Sequence, residues 1–251
     1  MRLIKSLLVV GIMVLLTWGV WSQSKKTTGL TTMVSYPSGD ETVTGYLAMP
    51  SGKGPFPAVV VIQEWWGLTD WIKGNAQRLA ENGYVALAVD LYRGKVGDTP
   101  ELAHELSRGL PEDRAIRDLE AAVTYLKARD DVKKNKIGSI GWCMGGGFSL
   151  KTAIHVPDLA ACVVNYGAMI TDEKAIQSIP CPVILVFGDQ EKGIPLADVE
   201  KFKERATQVG KKVDYYLYPG EGHGFVRAPK DQKNSDDAWE KELAFLAKYL
   251  K

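Results

Sequence analysis

Continuous apolar runs alternate along this chain with stretches whose apolar positions recur at helical spacing. Pro57-Ala58-Val59-Val60-Val61-Ile62 has no polar interruption, the pattern of a strand covered on both faces of a parallel sheet. Tyr84 to Val89, the run ending at Trp142, Ala160 to Asn165, Pro182 to Phe187 and Val213 to Tyr218 repeat the pattern. Between them, Asp70 to Glu81, Glu112 to Ala128, Gly147 to His155, Leu196 to Val209 and Asp236 to Leu250 are predicted helices. In the second of these, Ile116, Leu119, Val123 and Leu126 share one face. Strands alternating with helices predict an α/β fold, a mostly parallel central sheet with helices on both faces. Ahead of this, Thr31 to Tyr36 and Thr42 to Met49 flank Pro37-Ser38-Gly39-Asp40, which predicts a β-hairpin at the sheet edge.

The N-terminus follows a different pattern. Arg2 and Lys5 precede the apolar run from Leu7 to Trp21, and a polar Ser22-Gln23-Ser24-Lys25-Lys26 follows. Residues 1–26 therefore read as a signal peptide or an uncleaved membrane anchor, with an exported (periplasmic or extracellular) or membrane-anchored protein as the consequence. The run is short for a spanning helix, which needs roughly 20 apolar residues. Residues 27–251 form one expected domain, without internal repeat or second core.

Composition narrows the function classes. The 251 residues are 45% hydrophobic and 24% charged, with a formal net charge of +1, an ordinary globular balance that gives no reason to invoke nucleic acid. Cys143, Cys162 and Cys181 fit neither a metal-ligand spacing nor a disulfide framework. Cys162 and Cys181 each begin an apolar run and are expected to be buried. No metal or cofactor is implied, and a monomer is expected.

The chemistry concentrates around Lys136 to Phe148, where a β-branched run passes through Gly141-Trp142-Cys143-Met144-Gly145-Gly146 into a helical pattern. This is the strand, sharp turn and helix of a nucleophile elbow, with Cys143 where Ser is usual. Gly141 and Gly145 would let strand and helix approach, and the helix N-terminus behind Cys143 can hold a developing oxyanion. The other reading of this stretch is a small buried cysteine beside a phosphate-cradling loop. Functional groups of a parallel sheet collect at the carboxyl ends of its strands. Glu64, Cys143, an acid after Phe187, and His223 in the loop Gly220-Glu221-Gly222-His223-Gly224 all fall there. Nucleophile, acid, histidine is the chain order of α/β-hydrolases. His104, in a polar helical stretch, and His155, at a helix end, carry no such signal.

Taken together, Gly-x-Cys143-x-Gly-Gly, Gln63-Glu64, Asp90-Leu91-Tyr92, and His223 with Phe225 and Arg227 resemble the dienelactone hydrolase family of α/β-hydrolases, from about Pro57 to the C-terminus. The resemblance implies an α/β-hydrolase fold and hydrolysis of a small-molecule ester or lactone. It places the triad acid three residues after a glycine and four before a proline, which favours Glu191 over Asp189 although Asp is the usual residue. It further implies that Glu64 helps hold or release the thiol proton, that the N–H groups of Trp65 and Met144 form the oxyanion hole, and that Arg227 binds a substrate carboxylate. Glu64 could instead be a strand-end carboxylate bonded to backbone or an arginine, and Arg227 could pair with Glu221 or Asp231. The family's second arginine falls on Gly94, with Arg93 one place earlier as the candidate. Trp65, Trp66, Trp71 and Trp142 suit either a flat ligand or the core. Two other functions stay open: a general carboxylesterase or thioesterase, and a catalytically inactive, membrane-anchored binding protein on the same fold.

Overall fold

The computed structural model describes residues 28–251; the signal or anchor expected over residues 1–26 lies outside the described residues. The order is β1 (Thr28–Ser38), β2 (Glu41–Pro50), β3 (Phe56–Ile62), α1 (Asp70–Glu81), β4 (Val85–Val89), α2 (Pro100–Arg108), α3 (Glu112–Ala128), β5 (Val132–Trp142), α4 (Met144–His155), β6 (Ala161–Asn165), α5 (Glu173–Ser178), β7 (Val183–Gly188), α6 (Leu196–Gln208), β8 (Val213–Tyr218) and α7 (Gln232–Leu250). The strands form one sheet in the order β1-β2-β4-β3-β5-β6-β7-β8. β1 and β2 form the edge hairpin and run antiparallel; from β4 onward every neighbouring pair is parallel.

Val59 to Ile62 on β3 and Val85 to Val89 on β4 are completely buried, which is why their sequences lack the polar alternation of a one-sided sheet. α1 and α7 share one face, where Arg78 of α1 lies 4.1 Å from the Trp239 ring centroid of α7. α3, α4, α5 and α6 pack in succession on the other. Cys162 and Cys181 are buried free thiols of the core. No helix among the described residues is long and apolar enough to cross a membrane.

The structure adds two helices to those the periodicity predicts. α2 buries only Ala103, so no apolar stripe marks it; its signal is Thr99-Pro100, an N-cap followed by proline at the first helical position. α5 spans six residues under the Asp172 cap. α7 begins at Gln232 rather than Asp236, because Asp231 caps it by accepting from Lys233 N–H, and its first turn is polar.

Candidate active site

Cys143 is the single residue between β5 and α4, at φ 56° and ψ −119°. A non-glycine residue held there costs on the order of 1–3 kcal/mol, so its surroundings must impose the conformation. Its N–H donates to the Asn165 carbonyl at 3.0 Å, and its own carbonyl accepts from Gly146 at 3.0 Å and Gly147 at 3.3 Å. A side chain is excluded on both flanks. A Cβ at Gly141 would stand 2.0 Å from the Gly145 carbonyl oxygen, and one at Gly145 would stand 2.4 Å from that of Ile62. The turn leaves Cys143 partly exposed beside the first N–H groups of α4, Met144 included, which have no intrahelical acceptor.

His223 comes from the loop after β8. That loop is anchored by Glu221, a buried carboxylate that accepts from Lys230 N–H at 3.0 Å, Asp231 N–H at 2.9 Å and the Asn234 amide at 2.9 Å. Burial raises the Glu221 pKa, but these donors outweigh it and hold it below the usual range. His223 Nδ1 lies 2.8 Å from Glu191 Oε2. Because a carboxylate only accepts, Nδ1 carries the proton and the ring's other nitrogen is left for Cys143. The second Glu191 oxygen accepts from Gly193 N–H at 2.6 Å and Ile194 N–H at 3.2 Å. Burial is the largest influence on the His223 ring and lowers its pKa. Hydrogen bonds to Cys143 and Glu191, with their charges, overcome it and push the pKa up to about 10. For Glu191, burial likewise works upward and is outweighed by His223 and the two N–H groups, so its pKa falls. Asp189 faces elsewhere: it accepts from Gly220 N–H at 2.8 Å and ties the two loops together.

Glu64, at the end of β3, is buried and pairs with Arg227 Nη1 at 2.8 Å. Arg227 therefore meets neither Glu221 nor Asp231, and its guanidinium lies 5.8 Å from the Trp71 ring centroid. Burial raises the Glu64 pKa, with Arg227 pulling it back. Arg93 is not brought to the site. Its guanidinium pairs with the fully buried Asp118 at 2.7 Å and with Glu41 at 2.8 Å, a junction between the edge hairpin and α3, so the substrate-binding role expected of it is corrected to a structural one.

Three further residues bear on the site. The Tyr92 hydroxyl donates to the Trp65 carbonyl at 3.1 Å and lies 3.4 Å from Met144 Sδ, bracing the two residues that would supply the oxyanion hole. Tyr166, directly after β6, has φ 36° and is fully buried, with its ring edge-on to His223 at 5.1 Å. His104 of α2 stands edge-on to Trp65 at 4.6 Å. Only Tyr92 had a sequence signal, its place in Asp90-Leu91-Tyr92. Of the tryptophans, Trp142 is fully buried against Trp71, while Trp65 and Trp66 are half-buried neighbours. No cluster of three or more His, Cys, Asp or Glu among the described residues could hold a metal ion.

An eight-stranded, mostly parallel sheet with a strained residue between β5 and α4, and an acid and a histidine after β7 and β8, is the architecture of an α/β-hydrolase. Residues 43–250 match the pattern of the Dienelactone hydrolase family, and the chain belongs to that family. Among its relatives, a protein of Synechocystis sp., described provisionally as a carboxymethylenebutenolidase, is 33% identical over 88% of this chain and 98% of its own. One of Methylorubrum extorquens with the same description is 31% identical over 86% of this chain and 80% of its own. A crystal structure from Klebsiella pneumoniae, described provisionally as a dienelactone hydrolase, superposes with a TM-score of 0.80 at 28% identity, covering 88% of this chain and 99% of that one. The protein is a hydrolase acting on ester bonds of small molecules.

Proposed function

We propose that the protein is a cysteine-nucleophile hydrolase of a small ester or lactone. The observation that carries this reading is the arrangement of Cys143, strained at the elbow, within electrostatic reach of the His223 ring, whose Nδ1 is held by Glu191 at 2.8 Å. The Cys143 sulfur attacks the carbonyl carbon, and the N–H groups of Met144 and Trp65 receive the oxyanion. The leaving alkoxide takes the proton held on His223. Water, deprotonated by His223, then attacks the thioester; the C–S bond breaks to release the acid, and the departing Cys143 thiolate recovers its proton from Glu64. Glu64 supplies the control: a substrate carboxylate that draws Arg227 away removes the charge that steadies ionised Glu64, and its buried carboxyl then takes the thiol proton.

A second reading, hydrolysis of neutral esters, is favoured by one observation. Arg93 is committed to Asp118 and Glu41, so at most one guanidinium is left to recognise a carboxylate. For residues 1–26, we propose export or membrane anchoring, on the basic, apolar and polar succession alone.

A panel of carboxylate-bearing lactones, aryl esters and thioesters, assayed on the wild type and Arg227→Met, tests the substrate reading. One charge-assisted hydrogen bond is worth roughly 1.5–3 kcal/mol, so kcat/KM should fall about 10- to 150-fold on carboxylate-bearing substrates and much less on neutral ones. Equal losses on both would transfer the assignment to a general esterase.

A further inference from the structure

The two N–H groups proposed to receive the oxyanion come from different elements: Trp65 follows the end of β3, and Met144 opens α4. Donors of this kind accelerate a reaction only if they stand in place before the charge develops, so the spacing between the two elements matters. Tyr92, in the loop after β4, reaches both. Its hydroxyl donates to the Trp65 carbonyl at 3.1 Å and stands 3.4 Å from Met144 Sδ. A hydroxyl has one proton, which goes to the carbonyl as the stronger acceptor, and the thioether sulfur rests against the oxygen.

The bonded carbonyl is at a sensitive point. Trp65 and Trp66 are the central residues of a tight turn closed by the Gly67 N–H on the Glu64 carbonyl at 3.1 Å. The Trp65 carbonyl belongs to the central peptide of that turn, the unit that turns over when one type of β-turn becomes another. Its bond to Tyr92 fixes this peptide, and with it the turn that presents the Trp65 N–H. The next carbonyl, that of Trp66, is held separately by the Gly97 N–H at 2.8 Å.

Tyr92 is itself firmly held. Its N–H donates to Asp90 Oδ1 at 3.2 Å, and its carbonyl accepts from the Lys95 N–H at 3.3 Å. The Leu91 N–H donates to Gln63 Oε1 at 3.2 Å, which bonds the carboxyl ends of β3 and β4 to each other beneath the turn. Asp90 Oδ2 accepts from the Thr44 hydroxyl at 3.2 Å and from the Gly94 N–H. The Tyr92 side chain is buried. Burial, and after it the Cys143 charge, raises its pKa, so the hydroxyl keeps its proton. We propose that Tyr92 is the positioning residue of the oxyanion hole: a strut from the end of β4 that sets the Trp65 and Met144 N–H groups at the spacing the oxyanion requires. The inference rests on Cys143 being the site's nucleophile.

A role confined to the oxyanion hole should leave thiol reactivity alone wherever no oxyanion forms. Tyr92→Phe keeps the ring and removes the hydroxyl; Met144→Leu keeps the N–H and removes the sulfur. Wild type, both variants and the double variant are compared in kcat and KM on a neutral aryl ester and in melting temperature. Two probes of Cys143 are added: an aryl trifluoromethyl ketone, whose carbonyl carbon takes the sulfur and whose oxygen becomes the oxyanion, and iodoacetamide, which is displaced at a saturated carbon. For Tyr92→Phe, kcat should fall about 10- to 100-fold with KM within about threefold, as expected when donors are misplaced rather than removed. Affinity for the ketone should fall with kcat/KM, and alkylation should stay within about twofold of wild type. Met144→Leu should lose less, and the double variant should match Tyr92→Phe, because the strut is already gone.

Three results would overturn the proposal: a Tyr92→Phe kcat within about twofold of an active wild type, alkylation that slows in step with kcat, or losses that add in the double variant. The second would mean that the hydroxyl holds Cys143 or the core rather than the oxyanion hole. If Tyr92→Phe fails to fold, Met144→Leu decides: lower kcat and ketone affinity at unchanged alkylation support the strut, and an unchanged kcat overturns it. A wild type that alkylates at Cys143 but neither hydrolyses an ester nor takes the ketone would instead sink the hydrolase reading, and the proposal with it.

Discussion

Glu191 and Asp189 leave the end of β7 two residues apart, yet only one of them can orient His223. The Glu191 side chain is itself fully enclosed, with one oxygen on His223 and the other on two backbone N–H groups, so its geometry is set before substrate arrives. Asp189 spends its carboxylate on Gly220. Glu191→Gln should therefore lower kcat by about 10³- to 10⁴-fold, whereas Asp189→Asn should stay within about threefold of the parent, a turn contact being worth about 1 kcal/mol; steady-state kinetics on one ester decide between them. The second residue-scale prediction concerns Arg93. Removing it leaves Asp118 buried with only Ser38 Oγ at 2.6 Å as a firm donor. Arg93→Met should accordingly cost about 3 kcal/mol or more in denaturant unfolding and leave the ratio of activities on charged and neutral esters unchanged. From the chain alone, Arg93 was the candidate beside an expected carboxylate site. Distance along the chain could not show that its guanidinium turns toward β2 and α3.

At the scale of elements, the elbow depends on three backbones meeting: the end of β3, the end of β5 and the start of α4. The Gly145 Cα faces the Ile62 and Gln63 carbonyls so closely that a methyl there would sit 2.4 and 2.5 Å from their oxygens. Backbone cannot retreat as a side chain can. Gly145→Ala should destabilise by about 1–3 kcal/mol or more and displace Cys143, so the surviving folded protein should alkylate and hydrolyse slowly; thermal melting with a thiol-labelling rate measures both. This steric demand is legible as Gly-x-Cys-x-Gly-Gly because it is local. The buried strands and long helices are legible for the same reason, their period being written into adjacent residues. What the chain hides is of two kinds. α2 and α5 bury too little apolar surface to leave a stripe, and Tyr166 acquires meaning only when the end of β6 and the loop after β8 bring its ring against that of His223.

For the molecule as a whole, the sheet order matters more than any element. β3 lies between β4 and β5, and chain direction across the sheet reverses there, opening a crevice at the carboxyl ends. Glu64, Tyr92, Cys143, Tyr166, Glu191 and His223 reach that crevice from six different strands, a convergence that alternating periodicity implies in outline but does not measure. In the proposed mechanism the Cys143 sulfur is the atom that takes the acyl group. Acid quenching of wild type and Cys143→Ala milliseconds after mixing with an aryl ester, followed by intact-mass and peptide mapping, measures this directly. The account predicts an acyl adduct on the peptide carrying Cys143, formed faster than steady-state turnover, and neither adduct nor turnover in the alanine variant. An adduct on another residue, or a Cys143→Ala protein that hydrolyses within about tenfold of wild type, would contradict it.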